Sequence, residues 1–478
     1  MDELFRMSAS EAVARLKRGE VSPVELIDAA AKRIAAIEPQ VNALPTLCLD
    51  RARERAKAIP ALAKSGASDR PGWLAGLPVA IKDLNDVAGV RTTYGSPIFA
   101  DHVPRDSDLV TRTLEASGAL VIAKSNTPEF GAGANTFNEV FGKTLNPWNT
   151  ALTCGGSSGG SAVALATGEV WLASGSDLGG SLRTPASFCS VVGLRPTPGR
   201  VAHGPKSMAF DTMSVDGPMG RDVRDTALML DAMSGTSAYD PLSIEPPAVS
   251  FQAAVAAARP PRRVAYSADL GGITPVEREV RAVTSAAALR LVELGTKVEG
   301  ATPDFTGFNE AFQIIRAFKF AADRKPLLDT HRDKLKPEVI WNIEKGLKLT
   351  ALDIGRAEYL RGALVKRMAE FFETYDLLLC PAAIVPPFDV NVRYLGELDG
   401  HTFDSYIDWV GITYAITVTS CPAISVPCGF TADGRPIGMQ IVAAPRQEAK
   451  LLAAAALFED TLALARLPMD PKAPAPTR

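Results

Sequence analysis

Between residues 74 and 235 short apolar runs alternate with helix-forming ones, and this alternation constrains the fold more than any other feature of the chain. Leu120-Val-Ile-Ala reads as a strand, Ser161–Ala166 as a helix and Val170-Trp-Leu-Ala as the next strand. Apolar runs this short, with helices between them, predict a layered α/β fold. A chain of 478 residues could hold two or three domains by length, but large α/β enzymes often form one. The expectation is a single large domain over 1–470, with a mixed β-sheet core covered by helices on both faces. N-terminal helices occupy 1–60, the core 60–235, and the rest of the α/β layer with a variable pocket wall 263–465.

Outside the core the signals are local. Residues 9–58 read as two helices, the first capped by Ser8 or Ser10 and the second opened by Ser22-Pro23. Leu26, Ile27, Ile34 and Ile37 give the second helix one apolar stripe. Residues 236–262, rich in Pro and Ala, read as a connection. A strand follows at Val264, a helix over 275–294, and a largely helical, charged stretch over 307–375. Strands return at 376–380 and 423–443, with Asp433-Gly434 as a hairpin signal, before a closing helix from Gln447 to Asp460. The Pro- and Ala-rich tail, 471–478, is expected to be disordered.

Three motifs carry chemistry. Lys82 ends the run Leu77-Pro-Val-Ala-Ile-Lys82, Ser157 lies in Cys154-Gly-Gly-Ser157-Ser158-Gly-Gly-Ser161, and Ser181 lies in Asp177-Leu-Gly-Gly-Ser181-Leu-Arg183. The successive gaps are 75 and 24 residues. A serine hydroxyl is a weak nucleophile until a base takes its proton. Burial lowers a lysine pKa, so a lysine at the end of a buried strand is a candidate base, or else a buried partner of Asp83 or Asp86. Gly179-Gly180 ahead of Ser181 lets backbone N–H groups converge where negative charge develops in acyl transfer. Asp177 and Arg183 flank that turn as a candidate ion pair that fixes it. The segment Gly155-Gly-Ser157-Ser-Gly159 also fits a Gly-x-Ser-x-Gly nucleophile elbow, which would make the chain an α/β-hydrolase-type esterase using Ser157 or Ser158. That alternative needs a late histidine, and of His102, His203, His331 and His401 only the last is placed for it.

Together the three motifs, their order and their spacing resemble the amidase signature family, strongly over 60–235 and weakly at both ends. The resemblance implies the amidase signature fold. It also implies Ser181 as nucleophile, Ser157 after a cis bond from Gly156 as proton relay, and Lys82 as terminal base and then acid. It gives the N–H groups of Leu178, Gly179, Gly180 and Ser181 as oxyanion hole, Gly131 (through its backbone) and Ser157 as substrate-binding, and Ser158 as support. Leu178 stands where many members carry Thr, so no side-chain role is expected there. The implied activity is hydrolysis of a carboxamide, with esters, anilides and carbamates as relatives. The catalytic component of an aminoacyl-tRNA amidotransferase shares the signature and is the alternative.

Composition excludes other classes. The net charge of −3 comes from interspersed acids and bases, so neither a nucleic-acid surface nor a polybasic membrane anchor is expected. No run approaches the ~18–20 apolar residues that span a bilayer, and the start lacks a signal pattern, so a cytoplasmic location is expected. The six cysteines are scattered without a Cys-x-x-Cys pair, which argues against a metal site or a disulfide framework. No cofactor is expected. The expected partner is a small-molecule amide, ester or carbamate, and the chain a monomer or homodimer. Phe130, Phe137, Phe141 and the phenylalanines of 305–320 could line an acyl pocket, though core is the commoner fate of such residues.

Overall fold

Among the described residues eleven strands form one sheet, and the apolar runs of the core supply one half of it. In chain order they are β1 (Thr46–Leu47), β2 (Pro78–Lys82), β3 (Leu120–Ser125), β4 (Leu172–Asp177), β5 (Val192–Arg195) and β6 (Val215–Gly220). The remainder are β7 (Arg263–Tyr266), β8 (Lys297–Gly300), β9 (Leu377–Pro381), β10 (Ala423–Phe430) and β11 (Pro436–Val442). The computed structural model describes residues 3–204, 208–464 and 468–474. Across the sheet the order is β1-β3-β2-β4-β6-β5-β10-β11-β9-β7-β8. β2 runs parallel to both β3 and β4, whereas β4, β6, β5, β10, β11 and β9 alternate in direction, so the sheet is mixed as expected. β2 and β3 are buried at every position.

The helix Gly159–Thr167 packs on β2, β3 and β4 and is buried along its whole length. A helix so enclosed must be small and apolar all round, which is what Gly-Gly-Ser-Ala-Val-Ala-Leu-Ala-Thr provides. Parallel β2 and β4 are neighbours, so their carboxyl ends meet at one rim of the sheet, a usual place for a site in such folds.

The local readings hold with instructive exceptions. Ser8 caps the first helix (Ala9–Arg18), and Ser22 forms a reciprocal cap with Glu25 on the second (Pro23–Val41). Leu26, Ile27, Ile34 and Ile37 are buried. Residues 9–58 hold a third helix, Leu49–Ala56, and the edge strand β1 as well. That helix buries only Ala52 and Ala56, so its sequence has no large-residue stripe to betray it. The connection over 236–262 contains the helix Phe251–Ala256, capped by Ser250 and held at its first turn by Asp231, which accepts from the N–H groups of Phe251 and Gln252. The 275–294 helix begins at Arg278 and closes as a 3-10 turn from Arg290 to Leu294. β4 starts at Leu172, two residues after the run beginning at Val170. Asp433-Gly434 turns β10 into β11 as expected, with the Gly434 N–H donating to Thr431 at 2.9 Å.

The tail departs from its expectation. Lys472 donates its N–H to the Pro147 carbonyl and accepts from the Thr150 N–H, each at 2.9 Å, so the backbone at Lys472 is tied to the body of the protein. Backbone pairing does there what Pro- and Ala-rich side chains could not signal. Residues 475–478 of the expected disordered segment lie outside the described residues. Among the described residues, no helix is long and apolar enough to cross a membrane.

Candidate active site

β2 delivers Lys82 into the protein interior, where it is fully buried. Its Nζ lies 2.7 Å from Ser157 Oγ, 2.8 Å from Ser158 Oγ and 3.0 Å from Ser176 Oγ. Three neutral hydroxyls surround the amine, and among the described residues no carboxylate forms an ion pair with it. Burial therefore dominates and pushes the Lys82 pKa down to about 7, against the upward pull of Asp216 and then Asp177. The alternative of a charged pair with Asp83 falls to Lys124 instead, 3.1 Å from that carboxylate. Ser176 had no distinguishing sequence signal; alternation along β4 puts it on the face toward Lys82.

Ser157 and Ser158 close the glycine loop ahead of the helix Gly159–Thr167, and the Gly156–Ser157 bond is cis. Gly131 backs onto the same point: its φ is +69°, and a Cβ there would stand 3.3 Å from Ser157 Oγ. The Ser158 N–H donates to the Ser181 carbonyl at 3.1 Å, which ties the glycine loop to the turn carrying Ser181.

That turn is organised by Asp177. Its carboxylate accepts from the Gly180 N–H at 2.9 Å and the Leu182 N–H at 3.1 Å, and takes Arg183 bidentately at 2.9 and 3.0 Å. Arg195, to which the sequence assigns no role, adds a third cationic contact at 3.3 Å. Burial alone would raise the Asp177 pKa, but Arg183 and then Arg195 outweigh it and hold the carboxyl well below the usual range. The Gly180 N–H, expected among the oxyanion donors, is thus committed to Asp177. Among the described residues the N–H groups of Leu178, Gly179 and Ser181 have no intramolecular acceptor. Gly180 has φ +121° and would place a Cβ 2.3 Å from Thr413 Oγ1, so this tight turn admits only glycine.

A cavity of about 280 Å³ opens over these loops. Gly131, Ser157, Leu178, Gly179, Gly180 and Ser181 all line it. Of the phenylalanines, Phe130, Phe312 and Phe320 line it too, whereas Phe137 and Phe141 lie under arginine guanidinium groups elsewhere. A histidine does reach the cavity, but it is His203, whose Nδ1 is 2.6 Å from Asp216 Oδ2. His401 sits exposed in a two-residue strand away from the cavity. The amine within reach of Ser157 is that of Lys82, and the late histidine that the nucleophile-elbow arrangement needs is not at the cavity.

The amidase family model matches residues 25–452. An acylamidase of Rhodococcus erythropolis is 36% identical over 459 residues, covering 95% of each chain. One component of the glutamyl-tRNA(Gln) amidotransferase of Moorella thermoacetica is 34% identical, covering 96% of this chain and 97% of that one. Among solved structures, a bacterial aryl acylamidase of the amidase signature family superposes with a TM-score of 0.88 at 28% identity, over 95% of this chain and 96% of the other.

Proposed function

The chain belongs to the amidase family and hydrolyses amides, and from that premise we propose that it does so through an acyl-enzyme on Ser181, with Ser157 as proton relay and Lys82 as base and acid. The observation that carries this reading is the 2.7 Å contact between a fully buried Lys82 amine and Ser157 Oγ, beside a cavity that Ser181 lines. A neutral amine has one lone pair to accept the Ser157 proton; once protonated, its three N–H bonds face three hydroxyl oxygens. Ser157 then takes the proton of Ser181 as its oxygen attacks the carbonyl carbon. Negative charge on the carbonyl oxygen is met by the N–H groups of Leu178, Gly179 and Ser181. The proton returns through Ser157 to the departing nitrogen, the C–N bond breaks, and water attacks the acyl-enzyme by the same relay. No organic cofactor or metal enters these steps.

The test is labelling with a small fluorophosphonate and mapping of the modified residue. Modification at Ser181 is expected; modification at Ser157 or Ser158 would overturn the assignment.

The Lys82 shift sets a pH dependence. The base must be unprotonated, so kcat/KM for an anilide rises with pH through about 7 and then levels. Asp216→Asn removes a negative charge that favours the ammonium, so it should move this inflection to lower pH. An inflection that stays in place would exclude Asp216 as the influence. Lys82→Ala should harm amides more than activated esters, because an amine needs a proton to leave and a nitrophenolate does not. Equal losses on a matched ester and anilide pair would count against Lys82 as the acid.

The catalytic component of a tRNA-dependent amidotransferase is the second reading, and the similarity to components of glutamyl-tRNA(Gln) amidotransferases favours it. Turnover of a small amide by the purified single chain separates the two.

A further inference from the structure

The helix Phe308–His331 forms one wall of the cavity, and its lining residues change character along their length. Phe312 abuts the oxyanion turn: a Cβ at Gly179 would stand 3.1 Å from its ring. One helical turn on comes Arg316, then Lys319 and Phe320, then Arg324. The wall is thus apolar beside Ser181 and rich in charge beyond it, three cations against Asp323, with Arg316 on the order of 6 Å further along the helix than Phe312.

The cations differ in how they are matched. Lys319 pairs with Asp211 at 2.9 Å and Asp323 at 3.1 Å, which satisfies both carboxylates. Asp216 is held by His203 and by Asn85 Nδ2 at 3.4 Å. Arg316 is 3% exposed, yet its guanidinium donates only to neutral oxygens, Asn342 Oδ1 and the Tyr406 hydroxyl. Glu338, one turn before Asn342, is taken by Arg393 at 2.7 Å. Arg324 lies over the Phe130 ring and donates only to the Asp323 carbonyl, at 3.4 Å. Among the described residues neither arginine has a carboxylate within 4.0 Å. A buried guanidinium without an anion is costly to keep, and here the buried Arg316 borders the cavity with the half-buried Arg324 two turns on.

We propose that Arg316, backed by Arg324, is a specificity determinant that binds an anionic group, a carboxylate in the simplest case, at the end of the substrate remote from the scissile amide. This rests on the amidase reading above and narrows its substrate class. The anion can belong to the acyl or to the amine half, and the Phe312 ring, between the Ser181 turn and Arg316, packs against the methylenes or ring that join it to the amide.

The test is protection of Ser181 from fluorophosphonate labelling, which needs binding but not turnover. Glutaramate is compared with pentanamide for an acyl-side anion, and N-acetyl-4-aminobutyrate with N-butylacetamide for an amine-side one. In at least one pair the anion should protect at about tenfold lower concentration than its neutral match, the scale of a charge-assisted hydrogen bond. Arg316→Met should bring that ratio close to one, and Arg316→Lys should retain part of it. Equal protection within both pairs of the wild-type protein would overturn the proposal without recourse to any variant. A ratio that survives in a folded Arg316→Met protein would overturn the role of Arg316. Absence of labelling at Ser181 would instead overturn the hydrolase reading itself.

Discussion

Ser181→Ala is expected to cut turnover of any amide or ester this protein cleaves by about ten-thousandfold or more. Among the described residues only Ser181 carries both an unbonded hydroxyl on the cavity and a main chain joined to the Ser157–Ser158 loop, through the 3.1 Å bond from the Ser158 N–H. Without its oxygen, the proposed relay of Ser157 and Lys82 has no proton to take and no acyl acceptor to activate. The loss should be close to that of Lys82→Ala on amides, and the double variant little worse than either single one, because residues acting as one relay are not additive. Folding should hardly change, since among the described residues the Ser181 side chain makes no hydrogen bond, and it is half-buried. Steady-state kinetics on an anilide and a nitrophenyl ester, with a thermal melt alongside, check both parts. A variant that keeps wild-type rates would transfer the nucleophile elsewhere.

What could be read in the sequence was what is local or continuous. β2 and β3 are unbroken apolar runs, and Ser8, Ser22 and Asp433-Gly434 are caps and turns whose chemistry spans a few residues. The glycine loops stood out because their residue types are rare in such density. What escaped depends on which strands become neighbours. Ser176 meets Lys82 only because β2 pairs with β4, and Arg195 reaches Asp177 from β5, on a different strand. The loss of the Gly180 N–H to Asp177 depends on a side chain folding back onto its own turn, which spacing alone does not reveal. Phe312 and Phe320 are both buried and cavity-lining, so asking whether they were core or pocket offered a choice the protein does not make. His203, with its neighbour Asp216, reaches the cavity from segments bearing no catalytic motif.

The hub of the site is therefore expected to be a stability hub as well, and Asp177→Ala tests this. The substitution strands the guanidinium groups of Arg183 and Arg195, both fully buried, and frees the N–H groups of Gly180 and Leu182. Removing one partner from a buried ion cluster costs about 3–5 kcal/mol, against roughly half a kcal/mol for a surface change. Asp177→Asn should cost less, since an amide oxygen still accepts from the turn. The pH dependence fixes the sign. The folded pKa of Asp177 lies below its unfolded value, so its contribution is complete above the unfolded value of about 4 and is lost as pH falls through the lower, folded one. The gap in denaturation midpoint between wild type and Asp177→Ala should therefore be flat from neutral pH to mildly acidic pH and narrow only in strong acid. A gap that narrows already near pH 6 would mean that another group carries the linkage. Activity should fall further than stability predicts, because the three N–H groups proposed to meet the oxyanion hang on the turn that Asp177 holds. A variant still folded at low denaturant but with kcat reduced a hundredfold or so, on the scale of losing an oxyanion donor, would separate that positioning role from mere unfolding.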